Sequence, residues 1–153
     1  MAKEKTSSPG WRLLLLLYAA VMFWLLFDRA NGWTTGVPYT QQLQKNVNLT
    51  PLYTIKNYLS VLKNPHSRYM FVHCLINLVG NVVLFVPAGW LFPRVWPKMR
   101  NFFVYFAFCC GVIFLVETVQ LFTLLGSFDV DDIILNLLGM TAGFLFRRTK
   151  RSK

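Results

Sequence analysis

Four long apolar segments leave this chain few folds to choose from. They run from about Trp11 to Phe27, Tyr69 to Phe92, Phe102 to Leu125 and Val130 to Phe146. At 1.5 Å per residue they suit a hydrocarbon core ~30 Å thick, the shortest only marginally. Lipid offers no partner to a backbone N–H or C=O, so such segments must satisfy their own hydrogen bonds as helices. The chain is 55% hydrophobic and only 14% charged over 153 residues. That balance fits a small integral membrane protein rather than a soluble domain. The expected fold is all-α, with four transmembrane helices in a single domain covering residues 1–153. The first run could pass for a signal peptide behind Lys3, Lys5 and Arg12, but it is long for one, and Asp28-Arg29-Ala30 makes a poor cleavage site.

The net charge is +10. The basic residues flank apolar segments and form no basic-aromatic groove, which speaks for membrane flanks and against nucleic acid. Arg94, Lys98 and Arg100 lie between the second and third segments, and Arg147, Arg148, Lys150, Arg151 and Lys153 form a basic tail at 147–153. The connection between the third and fourth segments has neither Lys nor Arg. Positive-inside bias therefore puts both termini in the cytoplasm (N-in/C-in), although the long first outer loop carries Arg29, Lys45, Lys56, Lys63 and Arg68. Cys74, Cys109 and Cys110 all sit in apolar segments and read as packing residues.

Within the first loop, Thr50-Pro51 reads as a helix start with Thr50 as N-cap. Leu52, Ile55, Leu59 and Leu62 follow at helical spacing, with Tyr53 and Tyr58 as headgroup anchors. This predicts a short amphipathic helix, lying on the outer leaflet or capping the bundle.

The segments are not uniformly apolar. His73, Asn77 and Asn81 recur every four residues, on one face of the second helix. Pro87 and Gly89 should kink or end that helix. The third segment holds Glu117 and Gln120, and the fourth opens with Asp129-Val130-Asp131-Asp132, with Asn136 one turn below Asp132. A charge inside the bilayer costs at least ~2.5–3.5 kcal/mol, so sequences rarely keep one without a use. Asp129 and Asp132 have the spacing of a helix cap and the reciprocal end of a capping box, whereas Asp131 is needed for neither. Gly139 and Gly143 make a G-x-x-x-G step that permits close helix approach. Counted from the outer ends, Asn77, Glu117, Gln120 and Asn136 fall within ~7–12 Å of one surface. Glu117, Gln120, Asp131, Asp132, Asn136, Asn77 and Asn81 are thus expected to line an acidic, hydrogen-bonding recess open to the outer leaflet, with no metal or cofactor.

Taken in order, these residues resemble a known family. Asn77-x-x-x-Asn81-x-x-x-Phe85-x-Pro87-x-Gly89, Glu117-x-x-Gln120, and Asp129-x-Asp131-Asp132-x-x-x-Asn136-x-x-Gly139-x-x-x-Gly143 look like the VanZ-like family, as does Asn48-Leu49-Thr50-Pro51. The resemblance covers about Asn46 to Phe146. Where some relatives carry an arginine before the fourth helix, this chain has Gly126-Ser127. The resemblance implies a multi-pass protein of the bacterial cytoplasmic membrane, associated with low-level resistance to teicoplanin-type glycopeptides and having no settled molecular activity.

Three functions fit that pattern. The first is a non-enzymatic envelope-protection protein whose acidic recess engages a lipoglycopeptide or a lipid-linked cell-wall precursor in contact with membrane lipid. The second is an enzyme on such a precursor, with Glu117 and Asp132 as acid and base or holding a divalent metal. The chain has no Ser-His-Asp pattern and no phosphate loop, which leans away from catalysis. The third is a small proton-coupled transporter. Four short spans leave a monomer little room for alternating access, so this reading needs an oligomer.

Overall fold

The computed structural model describes residues 8–27 and 34–149. Lys3, Lys5, Asp28, Arg29, Ala30 and the end of the basic tail lie outside the described residues. Six α-helices follow in chain order: α1 (Pro9–Phe27), α2 (Tyr39–Lys45), α3 (Tyr53–Lys63), α4 (Arg68–Val95), α5 (Phe102–Thr123) and α6 (Val130–Thr149). A single 3-10 turn, Pro97–Arg100, joins α4 to α5. The architecture is helical except for one small pairing. The strands β1 (Val47–Asn48) and β2 (Phe128–Asp129) run parallel, with Asn48 opposite Asp129.

Three helices, α1, α4 and α5, are long and apolar enough to cross a membrane. The fourth expected segment is a helix of 20 residues. It falls short of the same apolar standard because Asp131 and Asp132 open it and Arg147 and Arg148 close it. Local chemistry explains several helix ends. Ser67 caps α4 by accepting from the Met70 N–H at 3.1 Å. Asn101 caps α5, its Oδ1 accepting from Phe103 and Val104. Of the two outcomes expected at Pro87, a kink or an end, the end does not occur: α4 runs through both Pro87 and Pro93 to Val95. Packing against α6 on one side and α1 on the other holds it there: the Tyr18 hydroxyl donates to Leu84 O at 2.8 Å, one turn before Pro87 and Ala88.

In a bilayer the lipid is as apolar as the core, so helices associate through close packing and interhelical hydrogen bonds. Both are present. Gly139 meets the Val82 carbonyl and Gly143 meets the Val86 carbonyl, so α4 and α6 run parallel with backbones in contact. Gly89 answers from α4, against the Met140 carbonyl. The helix α5 runs the other way along α6: the Tyr105 hydroxyl donates to Met140 O at 2.8 Å, while Glu117 reaches Asp129. Tyr105, Cys109, Ile113, Met140, Phe144, Phe85 and Ala88 fill the space between these three helices. By contrast α1 buries only Leu15 and Met22 and leans on α4 through Tyr18 and an edge-on contact of Trp11 with Trp90.

Candidate functional site

The polar residues gather at the start of α6. The β1–β2 register sets Asn48 beside Asp129. Asp129 Oδ2 accepts from the Thr54 hydroxyl at 2.6 Å and from Asn48 Nδ2 at 3.3 Å. Its Oδ1 accepts from the Asp131 N–H at 2.8 Å, which is the expected cap of its own helix. The Asp129 N–H points at Glu117 Oε2 at 3.5 Å. The reciprocal half of the capping box thus comes from α5. Asp132, expected to supply it, instead accepts from Asn81 Nδ2 of α4 at 2.6 Å.

Asp131 corrects a second expectation, since it is a cap after all, of a different helix. Its Oδ1 accepts from the Leu52 N–H at 2.5 Å and its Oδ2 from the Ile55 N–H at 3.0 Å. Leu52 is the N-cap position of α3 and has no side-chain cap bond there. The helix starts at Tyr53, and Thr50 does not cap it. One carboxylate from α6 therefore satisfies two of the orphan donors that every helix start leaves. It also holds Leu52 at a φ of 64°, a left-handed conformation that costs a residue with a Cβ about 1–2 kcal/mol. Hydrogen bonds to a carboxylate contribute about 1.5–3 kcal/mol each, enough to hold Leu52 there.

These side chains are buried. Glu117 and Asn136 are each 3% exposed and Asp131 is 0% exposed. The first turn of α3 closes the layer over Asp131, while Asp132 and Asn81 are half-buried. The partners of Asp129 and Asp131 are backbone amides, a hydroxyl and a carboxamide, none of which carries a positive charge. Asn136 Oδ1, buried on α6 below Asp132, accepts no hydrogen bond among the described residues.

Two expected members lie elsewhere. Asn77 turns back on its own helix, donating to His73 O at 2.9 Å. Gln120 donates to Leu26 O at 2.9 Å and so ties α5 to the end of α1. Two residues join the layer that sequence reasoning did not place there, Asn48 and Thr54. Asn48 was visible as part of the Asn48-Leu49-Thr50-Pro51 element, but nothing in the pattern singled out Thr54. Among the described residues, no group of three or more His, Cys, Asp or Glu side chains is placed to hold a metal ion.

No curated protein and no solved structure matches the chain. The model of the VanZ/LLP1 family matches residues 14–151, a range that takes in the whole polar layer, all of α4, α5 and α6, and α1 from Leu14 onward. This chain, with three helices fit to cross a membrane, is a membrane protein of the VanZ/LLP1 family.

Proposed function

We propose that this protein protects the bacterial cell envelope against teicoplanin-type glycopeptides by holding an amphipathic ligand at the polar layer around the start of α6. In this reading α6 is the fourth span: it lies parallel to α4 with backbones touching, so it crosses wherever α4 crosses. Both termini are cytoplasmic, and α3 lies at the outer surface over the acids. The ligand is a lipoglycopeptide or a lipid-linked wall precursor, with its lipid tail left in the bilayer.

The observation that carries the reading is the excess of acceptors. Among the described residues, Asp129 and Asp131 are met by neutral donors, and Asn136 Oδ1 is buried without a donor. Such a layer favours a guest that brings N–H groups and positive charge, as an amino sugar does. Access requires the first turn of α3 to lift, so the bonds from Asp131 to Leu52 and Ile55 set how readily the site opens. Glu117, Asp132, Asn136 and Asn81 are the ligand contacts and Asp131 is the latch; Asn77 and Gln120 are not part of the site.

The test is susceptibility in a deletion strain complemented with wild type, Glu117→Gln or Asp132→Asn, with membrane abundance measured in parallel. Protection against teicoplanin should fall toward the deletion strain at equal abundance. Protection by both variants equal to that of wild type rejects the reading.

A further inference from the structure

A second site lies away from the acids, where α3 meets the first turns of α4. There a cavity of about 300 Å³ is lined by Asn57, Tyr58 and Val61 of α3 and by Tyr69, His73 and Cys74, among others, of α4. His73 is its centrepiece. The Tyr58 ring stands edge-on to it at 6.3 Å, and the Tyr69 ring stacks on it at 6.2 Å. Asn77 fixes the turn below by bonding the His73 carbonyl. Cys74 is buried, and no acidic side chain is part of the wall.

The wall chemistry selects the guest. Three rings could in principle cage an ammonium group. Here no carboxylate stands by to share the charge. Apart from Asn57, the rest of the wall is apolar: Val61, Met70 and Cys74. Its flanks are apolar and exposed as well: Leu59 on α3, and Phe71, Val72 and Ile76 on α4. These are the surfaces that acyl chains touch when α4 is in a membrane. The volume sits at the bottom of the ~300–1,000 Å³ range of small-molecule sites. It is too small for a whole lipid and suited to a stretch of one alkyl chain.

We infer that this cavity seats an acyl chain of a membrane lipid from the leaflet that α3 faces. The bound chain packs between the two helices and ties the amphipathic helix α3 to α4. The inference does not depend on the acidic layer or on the orientation of the protein in the membrane.

The test uses the full chain in nanodiscs of phosphatidylglycerol and phosphatidylethanolamine doped with a phosphatidylcholine carrying a diazirine on one acyl chain. After irradiation, peptide mapping by mass spectrometry should find label on residues 57–74 severalfold denser than on the equally exposed apolar faces of α1 and α5. Val61→Trp, which fills the cavity, should bring that density down to theirs while helical content is retained. Val61→Phe serves if the larger ring prevents folding. Label spread evenly over the apolar faces in the wild type overturns the proposal. So does enrichment that survives a folded cavity-filled variant, or stronger labelling of these residues by a headgroup diazirine than by the acyl-chain probe.

Discussion

Replacing Gly139 by alanine adds one methyl group and tests whether α4 and α6 touch through their backbones. A Cβ at Gly139 would stand 2.0 Å from Val82 O. Carbon–oxygen contacts settle near 3.3 Å, so the helices must part locally by about 1.3 Å. The atom it meets is a carbonyl oxygen in the middle of a helix, not the end of a flexible side chain, so it cannot swing away. Overpacking of this kind costs roughly 1–3 kcal/mol, less whatever alanine regains in helix propensity. For a chain of this size that is a fall of about 3–10 °C in thermal midpoint. The comparison is Gly111→Ala, on α5, where an added Cβ meets nothing within 4 Å. There the same chemical change should be neutral or stabilise by up to about 1 kcal/mol. Both variants are read by far-ultraviolet circular dichroism in one detergent at one scan rate. Opposite signs support the packing; a Gly139→Ala variant as stable as Gly111→Ala refutes the backbone contact and the parallel alignment drawn from it.

Other substitutions probe the remaining links. Asp131→Asn turns one of two acceptors into a donor facing a backbone N–H, so hydrogen exchange should quicken at Leu52–Ile55 with a local loss of about 1.5–3 kcal/mol; unchanged protection there removes Asp131 as the cap of α3. Tyr105→Phe deletes the donor to Met140 O and should cost about 1 kcal/mol, read as a lower thermal midpoint. Asn136→Leu removes a buried acceptor that has no partner, and should raise the midpoint while lowering teicoplanin protection; a lower midpoint would show that Oδ1 is satisfied after all.

Hydrophobic length made α1, α4 and α5 legible as helices before any coordinates, and their limits moved by only a few residues. The Leu52, Ile55, Leu59 and Leu62 repeat announced α3, and Gly139 with Gly143 announced the close approach of α6. What stayed hidden were bonds whose partners are distant backbone groups. Asp131 serves Leu52 and Ile55, 79 and 76 residues away, and a backbone N–H has no letter in the sequence. The depth count put Asn77 with the acids because it measures height along a helix and not direction; a carboxamide can also fold back one turn. The helix α2 has a single Leu and no apolar period. It is held by Gln42, which bonds Thr34 on both backbone atoms and Val37 O. The two-residue strands are shorter than any alternation a sequence could display.

The start of α6 does two jobs, and the bonding separates them. Asp129 and Asp131 face the loop: one gathers Asn48 and Thr54, the other starts α3. Glu117 and Asp132 face the spans, bonding Asp129 N–H and Asn81 across helix boundaries. A loop joined to the bundle only through apolar contact would slide, since lipid competes equally for such surface. Carboxylate bonds to specific amides do not slide, because a broken one leaves a buried acceptor without a donor. The acids thus give the cover over the polar layer one fixed closed position. On the reading proposed above, the span-side carboxylates Glu117 and Asp132 are where substitutions should alter protection without loosening α3, since neither bonds that helix's first turn.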